Sequence, residues 1–312
     1  MSVSLASPQN LLAPADWPTT DLALHLTTDP PEIDTVLPGF MVGTVGGLFA
    51  QGGVGKSFLA LQASLSVACE LPAADTLKLD LKRHGRVAYF SLEDPDPALW
   101  VRTRAIGTRI PQEAHPRLIQ QMRVFGLAGH SVDIGSQGVI DQFCRAAEGC
   151  RLVVIDTFSR VHRLEENSNR DMAKVVGDLE QIARKTGAAV LYVHHVGKGS
   201  EGIPSRSARG ASALMDNARW CARLDVMDGD DCEAGTTTVH PAVAGDTSEL
   251  LLLNVLKSSY GPIPLRNRRY KRATDGVLEP IDSVRSPKAS SPRGKGRMRG
   301  FVPRTTGTSD EF

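Results

Sequence analysis

Thr44-Val-Gly-Gly-Leu-Phe-Ala-Gln-Gly-Gly-Val-Gly-Lys-Ser57 decides the fold. Its first half is a short apolar run of the kind that forms a buried strand, and its second half is a glycine-rich turn that opens an apolar helical pattern running from Lys56 to Cys69. Strand, turn and helix in that order are the context of a phosphate-binding P-loop. Gly52, Gly53, Val54 and Gly55 offer backbone N–H groups that can curl around phosphate oxygens at a helix N-terminus. Lys56 is placed to reach the β and γ phosphates, and Ser57 to ligate Mg²⁺. The one departure from the usual pattern is Ala50 at its first position, a small residue that the turn absorbs.

On either side of this stretch the same grammar continues. The runs RVAYFSL (86–92), RLVVIDTF (151–158), AAVLYVHHV (188–196) and SELLLLNVLKSS (248–259) are apolar and separated by helical patterns. Continuous apolar strands alternating with helices predict an α/β chain built on a mostly parallel central sheet, covered on both faces. The clearest helix is 171–185, with Met172, Val175, Val176, Leu179 and Ala183 at helical spacing and Gly187 where a left-handed cap belongs.

Several strand ends carry candidate chemistry, and in open α/β sheets ligands bind outside the carboxyl ends of the strands. Asp156 ends the run Leu152-Val-Val-Ile-Asp156 and is placed to support a metal ion as a Walker B acid. Glu93, after the strand that follows the P-loop helix, is placed to orient a water in line with a γ phosphate, with Asp94 an adjacent alternative. His194 and His195 end the strand 188–195, and alternation sends them to opposite faces, so one at most serves as a phosphate sensor. Directly after them comes a Gly-rich basic loop, 197–210, with Lys198, Arg206 and Arg209, and a second basic stretch, Ser159-Arg-Val-His-Arg163, follows the Asp156 strand with Arg160 and Arg163. Two basic loops on one edge can line a channel that tracks a nucleic-acid backbone.

The bulk composition narrows the remaining classes. With 41% hydrophobic and 23% charged residues in 312, the chain is neither disordered throughout nor fibrous, and its length admits two domains or one large α/β domain with extended ends. Five cysteines, at 69, 144, 150, 221 and 232, show no metal-ligand or disulfide spacing and read as free thiols of a cytoplasmic protein. Neither a leader pattern nor a membrane-spanning run is seen, so no membrane partner is expected. The expected division is an arm (1–32) that can contact a neighbouring subunit, a compact region (33–280) and a basic disordered tail (281–312). Setting aside the seven basic residues of 283–304, 29 basic residues face 35 acidic ones, so the near-neutral whole hides a mildly acidic body with basic loops. Aromatic residues, at 5%, do not interleave with the basic ones, which disfavours a base-stacking platform.

In order and spacing these motifs resemble the plasmid RepA-type hexameric replicative DNA helicases of the RecA-like superfamily, which also holds the DnaB helicases. The resemblance covers about residues 33–280. It rests on the P-loop, Glu93-Asp-Pro95, Asp156-Thr157, Arg160-x-His162, Glu165-Glu-Asn167, the His pair, Ala208-Arg-Gly210, Asp216-Asn-x-Arg-Trp220 and Lys257-x-x-Tyr-Gly261. It implies a RecA-like P-loop core assembled as a homo-hexameric ring, with ATP and Mg²⁺ bound between subunits, single-stranded DNA threaded through the centre, and contacts to other replication-initiation proteins. Carried over, Lys56 and Ser57 hold phosphate and Mg²⁺, Asp156 supports the metal, Glu93 is the catalytic carboxylate and His195 the sensor. Arg219 matches an arginine finger acting on the neighbouring subunit's nucleotide, and Lys257 is a second trans-acting cation. DnaB-type rings carry an Arg where this chain has Ser259. The ParA and MinD-type ATPases share the GGVGK string but carry a signature lysine where this chain has Gln51. Two rival functions fit parts of the same set: a RecA-like ATP switch that binds DNA without unwinding it, and a small-molecule kinase, disfavoured by the lack of an arginine-rich lid in the core.

Overall fold

The computed structural model describes residues 19–196, 209–227, 249–261, 263 and 265–281. A six-residue helix, α1 (Leu22–Thr27), is capped by the Asp21 side chain and is followed by a small antiparallel pair, β1 (Thr35–Leu37) and β2 (Phe40–Met41). The body is one nine-stranded sheet. In chain order its members are β3 (Val45–Ala50), β4 (Arg86–Ser91), β5 (Met122–Gly126), β6 (Cys150–Asp156), β7 (Ala189–His195), β8 (Trp220–Val226), β9 (Glu249–Ser258), β10 (Arg268–Arg272) and β11 (Leu278–Pro280). Across the sheet the order is β11-β10-β9-β8-β3-β7-β6-β4-β5. From β8 to β5 every pairing is parallel, as the alternation of apolar strands and helices predicts. The run 248–259 departs from that pattern, because β9 pairs antiparallel with β8, and β10 and β11 extend the sheet as an antiparallel meander.

Helices cover both faces. On one lie α2 (Lys56–Ala68), α3 (Asp96–Gly107) and α4 (His115–Gln121), and on the other α5 (Gln137–Ala146), α6 (Asn169–Thr186) and α7 (Arg209–Asn217). α2 is apolar nearly all round and is buried along almost its whole length. α6 places Met172, Val175, Val176, Leu179, Ile182 and Ala183 in the core, starts at a Ser168 cap and ends at Gly187 with φ 71°, the left-handed conformation glycine adopts without a Cβ clash.

The two glycines inside β3 have a packing reason. A Cβ on Gly47 would stand 2.6 Å from the Phe49 ring and 2.7 Å from Tyr192, and one on Gly46 would stand 2.8 Å from Phe40, which itself stacks on Trp220 at 5.1 Å. Aromatic rings thus occupy the space the glycines leave on both sides of the central strand.

β3 and β7 are neighbours, yet their onward connections run to opposite faces, β3 into α2 and β7 toward α7. That is a topological switch point, and the crevice above it is where an α/β sheet receives its ligand.

Candidate functional site

The P-loop fills that crevice. Gly53 and Gly55 hold φ values of 83° and 109°, backbone conformations that side-chain-bearing residues rarely adopt, and the helix begins directly afterwards at Lys56. The Lys56 amine turns back over the loop: it donates to the Gln51 carbonyl at 3.2 Å and lies 2.9 Å from His195 Nδ1. Burial lowers the Lys56 pKa from its usual value, opposed by the charges of Asp156 and Glu93. A protonated lysine offers only donors, so His195 Nδ1 is the acceptor and its Nε2 carries the hydrogen, facing Glu93 Oε2 at 3.5 Å. One imidazole therefore connects the P-loop amine with the Glu93 carboxylate just beyond β4.

Strand alternation assigned the His pair to opposite faces, and they lie so. His194 is buried between Phe49 and Phe158, with ring centroids 5.9 and 5.6 Å away, and its Nδ1 has no hydrogen-bond partner. Burial pushes its imidazole down to about 4, which leaves it neutral near pH 7. His162 packs on the other side of Phe158 at 4.8 Å, and burial lowers its pKa too.

Asp156 is almost fully buried at the end of β6, and burial raises its pKa. Hydrogen bonds from Tyr89 and Ser57 work against that rise. The Tyr89 bond is short, 2.6 Å from Oη to Asp156 Oδ2. Ser57 and Asp156 give a hard oxygen pair of the sort Mg²⁺ accepts together with phosphate oxygens and water. Among the described residues no cluster of three or more His, Cys, Asp or Glu is placed to hold a metal ion. Mg²⁺ there would draw charge from the phosphates.

Asp94, the alternative to Glu93, is ion-paired with Arg102, whose guanidinium also lies 5.6 Å over the Phe58 ring. Glu93 instead is exposed and faces His195 Nε2. Tyr89, Arg102 and, from the antiparallel meander, Arg272 are site residues that sequence reasoning passed over. Arg272 donates to the Gly53 carbonyl at 2.6 Å.

The other sequence-picked residues fall in two places. Arg160 and Arg163 are exposed just beyond β6, on the P-loop edge, where Arg163 donates to Ser131 Oγ at 2.6 Å. Arg219 and Lys257 lie at the opposite end of the sheet. Arg219 directly precedes β8, and its N–H donates to the Val45 carbonyl at the start of β3. Lys257 is paired in register with Cys221, and its amine donates to the carbonyls of Met215 and Asp216 at 3.0 and 2.7 Å, which caps the end of α7. Lys198 and Arg206 lie outside the described residues, as do the arm before residue 19 and the tail after 281; Arg209 opens α7, with its side chain likewise outside.

A P-loop at the switch point of a parallel sheet, backed by a buried strand-end aspartate, defines a P-loop nucleotide-binding protein of the ATPase type. The chain belongs to the AAA domain family, whose model matches residues 11–201, more than half of its length and all of the strands from the P-loop to the His pair. It is accordingly an ATP-binding protein of a family of P-loop ATPases. No helix among the described residues is long and apolar enough to cross a membrane.

Proposed function

We propose that the protein is a ring-forming, ATP-driven replicative DNA helicase that translocates on single-stranded DNA, serving a plasmid or other mobile element. The carrying observation is the separation of Arg219 from its own P-loop. Trp220 pairs with Gly46 and Leu224 with Ala50, so Arg219 stands about 17 Å down the sheet from the level at which the loop begins, at ~3.3 Å per residue. An arginine there cannot reach the nucleotide of its own chain, and a second copy is needed to bring it to one. In this reading Arg219 acts in trans on the γ phosphate, Glu93 orients the attacking water, and His195 senses whether a phosphate has drawn Lys56 away from it.

Lys257, occupied with α7 carbonyls, serves by holding the turn that presents Arg219, a smaller part than a second finger. Arg160 and Arg163, exposed beyond β6, are the DNA contacts in this reading, together with Lys198, Arg206 and Arg209, which follow the sensor in sequence. α1 keeps Leu22, Leu24 and Leu26 exposed, which suits an arm seated on a neighbouring subunit.

The test combines size in solution with and without nucleotide, DNA stimulation of ATPase activity, and strand displacement on a forked duplex. Lys56→Ala is expected to abolish ATP hydrolysis and unwinding together, and unwinding that survived loss of hydrolysis would sink the proposal. ATP-dependent DNA binding without strand displacement would point to the switch instead.

A further inference from the structure

Arg272 belongs to none of the motifs that suggested a function, yet it touches the loop on which function depends. Its Nη1 donates to the Gly53 carbonyl at 2.6 Å and lies 3.3 Å from Glu249 Oε2, the residue opposite it on β9. Strand alternation puts Arg268, Tyr270 and Arg272 on the face that carries α2. All three engage backbone oxygens from the first part of the chain: Arg268 that of Lys78 at 2.5 Å, Tyr270 that of Leu77 at 3.2 Å, and Arg272 that of Gly53. Immediately behind the loop, Leu278 and Leu251 come within 3.5 and 4.0 Å of where a Cβ on Gly55 would lie. The meander therefore backs the P-loop closely, and Arg272 is its polar point of attachment.

The consequence follows from peptide geometry. In a trans peptide the C=O and the following N–H point in opposite directions. With the Gly53 oxygen held by Arg272, the Val54 N–H is turned away from β10. Gly53, at φ 83°, is the residue of the loop freest to rotate this peptide if nothing holds it. Because Glu249 pairs with the guanidinium, Arg272 presents little uncompensated charge and is suited to hold geometry more than to attract phosphate from a distance.

We propose that Arg272, locked by Glu249, is a positioning residue that fixes the Gly53–Val54 peptide so that the Val54 N–H is pre-aimed at a nucleotide phosphate. The proposal rests on the P-loop being the nucleotide site, and the Lys56→Ala control separates the two. The experiment measures, on the full chain, the affinity for a fluorescent ADP analogue with Mg²⁺, the KM and kcat for ATP, and the melting temperature without nucleotide. For Arg272→Ala the dissociation constant and KM are expected to rise about tenfold, the scale of one lost bond from a charged donor, with kcat changed less than twofold. Arg272→Lys, which keeps a donor, should recover most of that loss. Glu249→Gln, which leaves the arginine but loosens it, should give a rise of about threefold; this variant and Arg272→Lys decide the matter if Arg272→Ala does not fold. Wild-type affinity in Arg272→Ala and Glu249→Gln, with binding lost in Lys56→Ala, overturns the proposal. So does a weakening that tracks a fall in melting temperature and is not restored by lysine. Wild-type affinity in Lys56→Ala removes the nucleotide site itself, and the proposal with it.

Discussion

Replacing Tyr89 by phenylalanine removes a single oxygen from a fully buried ring, and with it the 2.6 Å hydrogen bond to Asp156. The carboxyl sits in surroundings that favour its protonated form, since burial raises its pKa and only the hydroxyls of Tyr89 and Ser57 oppose that rise by bonding. A cation coordinated by Asp156 needs the ionised form. A bond from a neutral donor to a charged acceptor contributes about 1.5–3 kcal/mol, and its loss acts on Mg²⁺ through the proton that then competes for the carboxylate, so binding should weaken by up to roughly ten- to a hundredfold toward acid pH and least at high pH. The pH dependence has a definite sign as well: without Tyr89 the carboxyl stays protonated to higher pH, so the acid limb of ATP hydrolysis moves upward. The assay is ATPase activity titrated with Mg²⁺ at several pH values, with nucleotide binding in the absence of metal as the control. An unchanged Mg²⁺ requirement together with an unmoved acid limb would refute the reasoning.

Three further outcomes are expected. Arg219→Ala should leave nucleotide binding intact yet lower kcat by about a thousandfold or more, and mixing it with Lys56→Ala should restore part of the activity through interfaces that pair an intact finger with an intact loop; mixtures as inactive as the separate variants would count against a trans role. His194 is held neutral, with its pKa lowered from 6.5 to about 4, so the unfolded chain binds the extra proton first as pH falls: stability of order 3 kcal/mol should be lost between about pH 6.5 and 4, and His194→Gln should flatten that part of a melting-temperature profile. Ser168→Ala removes the cap that accepts from the Asp171 N–H and should cost about 1 kcal/mol in chemical denaturation with little effect on nucleotide affinity.

Much of the site could be read along the chain because its parts are local. The P-loop, the Asp at the end of 152–156 and the His pair each sit at the end of an apolar run, where period-two alternation and strand polarity determine which way a side chain leaves. Gly187 announced its helix end by the same kind of local rule. Tyr89 escaped because within RVAYFSL it is simply another core residue, and its partner lies 67 positions later. β10 escaped for a different reason: Arg268-Arg-Tyr-Lys-Arg272 has one inward apolar residue, so its strand character depends on pairing with β9 and on backbone oxygens near residues 53 to 78. Lys257 is the instructive ambiguity. Its spacing fits a finger, and its amine is taken up by two carbonyls of α7 that no sequence pattern assigns to it.

The union of Gln62 with Leu278 has a bearing on how the protein comes into being. The amide of Gln62, midway along α2, donates to the Leu278 carbonyl and accepts from the Leu278 N–H, both at 2.9 Å in the core, and Gly276 leaves the space that the Phe58 ring occupies. The helix carrying Lys56 is thus complete only when β11, more than two hundred residues downstream, has arrived. Until β11 has been made, the Gln62 amide has Thr76 Oγ1 as a partner at 2.9 Å but lacks both bonds to Leu278, and the apolar flank at Phe58 stays uncovered. The helix that carries Lys56 therefore gains its full set of core contacts only after residue 278 has been made, and a chain released before that point lacks a partner of this helix.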